Sequence, residues 1–236
     1  PSTGQGAVEF AVDALIGELM AKARKLGAPP AVVHARLRRW EQMEPPARWL
    51  VIEPDPELRR IVIAELEPAL ALPMAGCAPE DCGAAAVIDG AMPAVLPSKA
   101  AAVRKLLPPG RDLTVLEVHP VASELQAYMQ RYLPEHATDL VGIASHWEEF
   151  QRLAKIMLIA AGLSPASLLV RDAARPGWKR GLTETAAVVC DAVTAPELPR
   201  DCFVIVFRLF DTASIDKLRQ IEARVTEART NPSPAM

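Results

Sequence analysis

Short apolar runs that alternate with helical patterns are the feature that most restricts how this chain can fold. The first run, residues 49–52, consists of Trp, Leu, Val and Ile, and the following Asp55 and Pro56 are residue types that begin helices. A continuous apolar run of this length is typical of a strand that is buried on both faces of a parallel sheet. Further runs predict strands at Leu72–Cys77, Ala91–Leu96, Leu113–Val118, Leu140–Ala144, Leu168–Val170, Ala186–Cys190 and Phe203–Phe210.

The alternation of strands and helices predicts an α/β fold with mostly parallel sheets. The runs form two successive groups, which favours two Rossmann-like lobes over one large sheet. The sequence before them predicts a helical hairpin, because residues 7–26 and 31–43 have apolar positions at helical spacing and no obvious partner sheet. This hairpin would pack on the body, connect domains or form a dimer. The predicted organisation is linking or dimerisation helices at 1–46, lobe 1 at 47–118, lobe 2 at 119–202, a crossover strand and C-terminal helix at 203–228, and a disordered tail at 229–236. Within lobe 2, helices are predicted at 122–132 and at 178–185.

Composition argues against several classes of protein. Half of the 236 residues are hydrophobic and the net charge is −3, whereas a self-sufficient nucleic-acid-binding domain usually carries a basic face. No apolar run reaches the ~18 residues that a membrane-spanning helix needs. The four cysteines are spread over both halves of a long chain without a secretory leader, so we expect reduced thiols and a cytoplasmic location. The first residue is Pro1, so we expect a processed chain or a fragment of a longer protein.

Candidate ligand-binding residues follow the predicted strands, because open parallel sheets bind ligands beyond the carboxyl ends of their strands. Hydroxyl residues at helix starts can join free backbone N–H groups in holding a carboxylate, phosphate or sulfate. Each such residue also has an ordinary role as a helix cap or turn residue, and the recurrence of several at one sheet edge is what favours a site. The candidates are Glu53, Asp55, Ser98, Ser145, His146, Arg171, Asp172, Asp191 and Thr194.

Motifs for catalysis, metals or cofactors do not accompany these residues. The chain has no Gly-rich phosphate loop and no Gly-x-Ser-x-Gly sequence. Its four histidines are far apart, and Cys77 and Cys82 have no matching second pair for zinc. Glu53 and Asp55 after a strand resemble the acidic start of response-regulator receiver domains, with Asp89 as the candidate phosphoacceptor. The Thr or Ser and the Lys that a receiver needs on later strands are not evident.

Several stretches together resemble the effector-binding half of GntR-type bacterial transcription regulators. Gly4–Val8 resembles the end of a winged-helix wing, residues 9–43 the linking helices, and Trp49–Arg60 the first strand and helix of a periplasmic-binding-like sensor. Residues 140–210 resemble its second lobe. In that lobe the likeness rests on Ala160-Ala161-Gly162-Leu163, Pro176-Gly177-Trp178-Lys179-Arg180-Gly181 and Asp191-Ala192-Val193-Thr194.

The resemblance implies a ligand-sensing domain with two periplasmic-binding-protein-like lobes that close on a small, anionic metabolite. It also implies a homodimer that contacts DNA only through a winged helix absent from this chain. Ser98, Ser145 and Thr194 would supply hydrogen-bond donors, and Arg171 or Arg180 would add positive charge. The alternatives are a stand-alone solute-binding protein, an enzyme using Glu53, Asp55 or Asp191 as acid or base, and a receiver-like interaction module.

Overall fold

The computed structural model describes residues 3–42, 46–118 and 140–230, and the chain divides into two compact units, Pro1–Glu44 and Pro45–Met236. The first unit consists of α1 (Thr3–Lys25) and α2 (Pro30–Gln42). Gly27, with a φ of 73°, lies in the turn between the two helices, a backbone conformation that glycine adopts without strain. The helical hairpin predicted from the apolar spacing is therefore observed.

Lobe 1 of the second unit is built on a four-stranded parallel sheet. Its strands lie in the order β2-β1-β3-β4, so the first strand is central and the chain crosses over to reach the third. The strands are β1 (Arg48–Ile52), β2 (Met74–Cys77), β3 (Ala91–Val95) and β4 (Thr114–Val115), and the helices are α3 (Pro56–Leu66), α4 (Ala85–Ile88) and α5 (Ala100–Leu106).

Lobe 2 contains a second four-stranded parallel sheet with the equivalent order, β6-β5-β7-β8. Two separate sheets confirm the two Rossmann-like lobes and exclude the single large sheet. The strands are β5 (Val141–Ser145), β6 (Leu168–Asp172), β7 (Ala187–Cys190) and β8 (Val204–Val206), followed by α7 (Thr212–Thr230), while α6 (Glu148–Ala160) connects β5 towards β6. Short 3₁₀ helices occur at Glu67–Ala69, Pro79–Asp81, Pro97–Lys99, Pro165–Ser167, Leu182–Glu184 and Ala195–Glu197.

Burial on both faces explains why the strands read as continuous apolar runs. Side chains alternate across a strand, so Trp49 and Val51 pack on one face of β1, while Leu50 and Ile52 pack on the other. β5 follows the same rule, with Val141 and Ile143 on the face that packs against α6. Because both faces of the sheet are covered, neither face needs polar side chains, and the strands show no alternation of hydrophobic and polar residues.

Several predicted elements differ from the structure. The helix predicted at 178–185 is a turn up to Gly181 followed by the short 3₁₀ helix Leu182–Glu184, because Gly177 and Gly181 have φ values of 75° and 79°, which interrupt helical backbone. The strand predicted over Phe203–Phe210 is only Val204–Val206, and it pairs with β7, so it belongs to lobe 2. The helix predicted at 122–132 lies outside the described residues, as does most of the predicted tail.

Pro93 lies inside β3, which has neighbours on both sides. It is level with Leu50 of β1, whereas β4 pairs only with Ala94 and Val95 and does not reach the level of Pro93. A proline cannot donate to a strand ladder, so the short β4 is compatible with a proline at this position.

Across the described residues, no helix is both long enough and apolar enough to span a membrane.

The last helix, α7, leaves lobe 2 and packs on lobe 1. Phe210 and Leu218 lie in the same core cluster as Trp49 of β1. Glu222 of α7 is buried, and its carboxylate accepts hydrogen bonds from Trp49 Nε1 (3.2 Å), from the backbone N–H of Ala71 (2.8 Å) and from that of Leu72 (2.6 Å). Three donors compensate the cost of burying this charge. Lobe 1 is therefore completed by a segment that follows lobe 2 in the sequence.

A second buried carboxylate lies where the chain crosses between the lobes. Glu65, at the end of α3, is only 4% exposed, and its Oε2 accepts from the backbone N–H groups of Leu209 (2.8 Å) and Phe210 (3.3 Å). Its Oε1 is buried without a partner among the described residues. Burial raises the pKa of Glu65 to about 7, although the two N–H donors and the charge of Arg208 oppose the rise. The nearby charge of Asp191 adds to it.

Glu65 should make the stability of the fold depend on pH. Its folded pKa lies above its ordinary value of 4.5, so its contribution is fully present below pH 4.5 and is lost as the pH rises through about 7. We expect Glu65→Gln to flatten this part of the stability profile by a free energy on the order of 3 kcal/mol. Urea unfolding of both proteins at a series of pH values measures the difference.

The matched control is Glu67→Gln, which changes an exposed carboxylate two residues further along the chain. It should leave the profile of the wild-type protein unchanged. Identical pH profiles for wild type and Glu65→Gln would show that Glu65 does not titrate with an elevated pKa.

Candidate functional site

The two lobes meet at equivalent positions of their first strand–helix connections. Asp55 is the N-cap of α3 in lobe 1, and Trp147 is the N-cap of α6 in lobe 2. Trp147 Nε1 donates to Asp55 Oδ2 at 2.8 Å, while Asp55 Oδ1 accepts from the backbone N–H groups of Glu57 and Leu58. The Asp55 carboxylate thus caps a helix and binds the other lobe, and the contact brings the carboxyl ends of β1 and β5 together.

A pocket of about 790 Å³ opens beside this contact, at the carboxyl ends of β5 and β6 in lobe 2. Its walls come from the start of α6, from the end of β6 and from the loop that follows β6. We call it the arginine pocket, and its lining residues are His146, Glu148, Gln151, Val170, Arg171, Asp172, Ala174, Arg175, Pro176, Gly177, Trp178 and Arg180.

Positive charge exceeds negative charge in the arginine pocket. Three arginines line it, against the carboxylates of Glu148 and Asp172. Arg175 forms an ion pair with Asp172, with 2.9 Å between Nε and Oδ2. Within the described part of the chain, Arg171 and Arg180 form no ion pair with a carboxylate. Two guanidinium groups are therefore available to an anionic ligand.

The loop after β6 places Arg171 in the pocket wall. Arg171 Nε donates to the backbone oxygen of Arg180 at 3.1 Å, which orients the side chain and leaves all the N–H donors of its two terminal nitrogens for other partners. A Cβ atom at Gly181 would lie 3.7 Å from Arg171 Nη2, and the φ of 79° there favours glycine. Trp178, in the same loop, has the ammonium group of Lys179 5.3 Å from its ring centre. The loop therefore combines an aromatic surface with fixed positive charge.

His146 and Gln151 are held by hydrogen bonds at the other wall. His146 Nε2 lies 2.9 Å from Glu197 Oε1, which joins the β5–α6 connection to the segment after β7. Gln151 Nε2 donates to the backbone oxygen of Ser145 at 2.8 Å. Two hydrogen bonds thus fix this wall against β5 and the β7 segment.

The sequence-predicted hydroxyls take part in internal hydrogen bonds. Ser145 is the last residue of β5 and fully buried, and its Oγ accepts from the backbone N–H of Trp147. Thr194 Oγ1 donates to Asp191 Oδ2 at 2.9 Å, and Asp191 Oδ1 accepts from the backbone N–H groups of Val193 and Thr194. Asp191 and Thr194 are both buried and do not line the arginine pocket.

The helix starts predicted at three hydroxyls are wrong in detail. Ser98 lies exposed within the 3₁₀ helix Pro97–Lys99, and the N-cap of α5 is Lys99. The N-cap of α6 is Trp147 rather than Ser145, because β5 extends one residue further than predicted. Thr194 precedes a 3₁₀ helix but makes no side-chain cap there. Asp55 caps α3 as predicted.

Glu53 is the buried acid at the carboxyl end of β1. Its Oε1 accepts from the backbone N–H of Asp55 at 3.2 Å, and its Oε2 has no hydrogen-bond partner among the described residues. Burial raises the pKa of Glu53 above its ordinary value, an effect that the Asp55 N–H and the charge of Lys99 oppose. Glu53 therefore belongs to the packed base of the lobe 1 sheet edge, and it does not line the arginine pocket.

The four cysteines are free thiols in packed surroundings. Burial raises the pKa of Cys77 to about 11 and also raises the pKa values of Cys82, Cys190 and Cys202. A raised pKa keeps the thiol protonated, which disfavours nucleophilic attack and metal binding. No group of three or more His, Cys, Asp or Glu residues that could hold a metal ion occurs in residues 3–42, 46–118 and 140–230.

The strand ends predict Arg171, His146 and Asp172 as site residues, and all three line the arginine pocket. Trp178 is not among the predicted site residues, because the sequence around it predicts a helix. The buried carboxylates Glu65 and Glu222 are not predicted either. The available signal was an acid in an apolar helical stripe, since Ile61, Val62 and Leu66 surround Glu65, and Leu218, Ile221 and Val225 surround Glu222.

Comparison of the chain with protein-family models, with curated proteins and with solved structures found no significant match.

Removal of the hydrogen bond between the lobes should destabilise the second unit. Trp147→Phe retains an aromatic ring but loses the donor to Asp55, and a hydrogen bond to a charged group contributes about 1.5–3 kcal/mol. Asp55→Ala also removes the helix cap, so the double variant Asp55→Ala/Trp147→Phe is needed to isolate the pair. We expect a coupling free energy above about 1 kcal/mol from urea unfolding of the four proteins. A coupling near zero would show that the hydrogen bond does not stabilise the fold.

Proposed function

We propose that this chain is the ligand-sensing domain of a cytoplasmic regulator and that it binds a small anionic metabolite in the arginine pocket. The observation that carries the proposal is that Arg171 and Arg180 line a pocket of about 790 Å³ and form no ion pair with any carboxylate among the described residues. This volume is in the range of pockets that enclose small organic ligands, roughly 300–1,000 Å³. All the lining residues of the arginine pocket belong to lobe 2, so the proposed ligand binds within one lobe, whereas the family resemblance implies a ligand between the two lobes.

Guanidinium groups favour carboxylate, phosphate or sulfonate ligands. Arginine remains charged at all relevant pH values and can donate two parallel hydrogen bonds to a planar anionic group. Arg171 is already oriented by its bond to the backbone of Arg180, so little side-chain entropy is lost when it binds. The indole of Trp178 offers an apolar surface for the organic part of the ligand. A small carboxylate or phosphate with an apolar or aromatic portion fits this combination best.

Several observations support sensing over catalysis. The four thiols have raised pKa values, which keeps them protonated and disfavours their use as nucleophiles. The segment Pro176–Gly181, which carries part of the resemblance to GntR-type effector domains, forms one wall of the arginine pocket. In a regulator of that type, DNA would be contacted by a winged helix outside this chain.

The contact between lobes supplies a route from the ligand to the rest of the second unit. Trp147 lies between two pocket-lining residues, His146 and Glu148, and its indole donates to Asp55 of lobe 1. A ligand that shifts the start of α6 would therefore strengthen or weaken the Trp147–Asp55 bond. The shift in population is limited by the difference between the affinities of the ligand for the two arrangements.

Thermal unfolding in the presence of defined anions tests the proposal. We expect at least one of inorganic phosphate, citrate and benzoate to raise the melting temperature, since a ligand at 100 times its Kd stabilises a fold by about 2.7 kcal/mol. In the variant Arg171→Gln, the Kd for that anion should increase about 10-fold or more, because the variant loses a charge-assisted hydrogen bond. Arg180→Gln should act in the same direction.

Arg152→Gln is the matched control. Arg152 is an exposed arginine of α6 that pairs with Glu149 and does not line the arginine pocket. Its replacement should leave the Kd unchanged. Equal loss of affinity in Arg171→Gln and Arg152→Gln would indicate non-specific attraction of the anion, and chemical turnover of the bound anion would assign the pocket to an enzyme.

A further inference from the structure

The wall of the arginine pocket that comes from the β5–α6 connection offers hydrogen-bond acceptors. Gln151 Nε2 donates to the backbone oxygen of Ser145, so its amide oxygen is the atom left for another partner. His146 Nε2 lies 2.9 Å from a carboxylate oxygen of Glu197, which places the imidazole proton on Nε2 and leaves Nδ1 as an acceptor in the neutral ring. Both of these lining side chains therefore have an acceptor available.

Glu148 adds a negative charge to the same wall. It is the first residue of α6, it is exposed to solvent, and it lines the arginine pocket. Its carboxylate forms no hydrogen bond and no ion pair with any residue that the structure describes. Because a carboxylate can only accept hydrogen bonds, Glu148 needs a donor from a ligand or from solvent.

The arginine wall has the opposite character. The guanidinium groups of Arg171 and Arg180 can only donate hydrogen bonds, and neither has a nitrogen within 4.0 Å of an oxygen of Glu148. Opposite charges thus line one pocket without forming an ion pair, so each is left to a ligand. The other two charged residues of the pocket, Arg175 and Asp172, neutralise each other. A ligand with only negative charge would be attracted by the two arginines and repelled by the glutamate.

We infer that the ligand of the arginine pocket is a zwitterion of the amino-acid class, with its carboxylate on Arg171 and Arg180 and its ammonium group on Glu148. The inference rests on the proposed function, because it specifies the ligand of the same pocket. An ammonium group carries three N–H donors, and the wall from the β5–α6 connection offers the acceptors that they need. Trp178, in the pocket lining, gives the side chain of the amino acid an apolar surface.

Glu148 is the residue that determines specificity in this arrangement. Arg171 and Arg180 select for an anion, but they do not distinguish an amino acid from a simple carboxylate. An anion without an ammonium group would cover the Glu148 carboxylate and supply no donor to it, and an unpaired charge removed from water costs free energy. A site built to bind an N–H group therefore rejects the analogue that lacks it.

Calorimetric titration of the full chain with matched pairs of ligands tests the inference. Phenylalanine, leucine and glutamate are compared with hydrocinnamate, isocaproate and glutarate, which lack only the ammonium group. At least one amino acid should bind with a Kd about 10-fold or more below that of its counterpart, since the counterpart loses a charge-assisted hydrogen bond. Glu148→Gln should remove this difference by raising the Kd of the amino acid while leaving that of the counterpart almost unchanged.

Glu149→Gln is the matched control. Glu149 is the next carboxylate along α6, it pairs with Arg152, and it does not line the arginine pocket. Its replacement should leave both Kd values unchanged. Arg171→Gln should weaken both members of a pair by a similar factor, because both carry the carboxylate.

Two results would overturn the inference while the proposed function stands. In the first, simple anions bind in a manner that depends on Arg171, but none of the three amino acids binds more tightly than its counterpart. In the second, the preference for the amino acid persists in Glu148→Gln. If neither the amino acids nor the anions bind, or if Arg171→Gln leaves their binding unaffected, the proposed function is wrong as well.

Discussion

Hydrogen bonds from backbone N–H groups to two buried carboxylates hold the crossing segment of the second unit in place. Glu222 of α7 binds the β1 tryptophan and the residues before β2, and Glu65 of α3 binds the chain just before α7. A buried carboxylate without donors would be costly, so each one specifies a single position for the segment it contacts. The two differ in one respect: Glu222 has both oxygens satisfied, whereas Glu65 has one oxygen without a partner among the described residues. The crossing segment is therefore held by Glu222, which has both carboxylate oxygens hydrogen-bonded, and by Glu65, whose raised pKa makes its contribution depend on pH.

Repetition of the same strand order gives the two lobes equivalent positions for their functional connections. The N-caps of the first helices, Asp55 and Trp147, hold the lobes together, while the connection after the second strand differs between them. In lobe 2 this connection is the glycine-containing loop that supplies Arg175, Trp178 and Arg180 to the pocket. The common scaffold thus fixes the lobes to each other, and the loop after β6 adds charge and an aromatic surface to the Arg171 that the end of β6 provides.

Much of the fold follows from the sequence, because each sheet is covered on both faces and its strands are therefore uninterrupted apolar runs. The sequence predicts pocket residues only where the end of a strand sets their position, as at Arg171. The sequence does not predict Trp178 as a pocket residue, because the segment around it has helical spacing. In the structure, positive φ angles at Gly177 and Gly181 prevent a helix there. Hydrogen-bond partners distant in sequence, such as Glu222 with Leu72 or Trp147 with Asp55, depend on tertiary packing that residue spacing does not encode.

The return of α7 to lobe 1 has a consequence for the order in which the protein folds during synthesis. The ribosome makes the strands of lobe 1 first, but the helix that covers Trp49 and Val51 is made only after all of lobe 2. Lobe 2 can therefore complete its sheet while part of one face of lobe 1, the part that α3 does not cover, is still exposed to solvent. The half of the molecule that is translated earlier is therefore completed last, and until α7 is made its uncovered apolar side chains are a surface that favours aggregation.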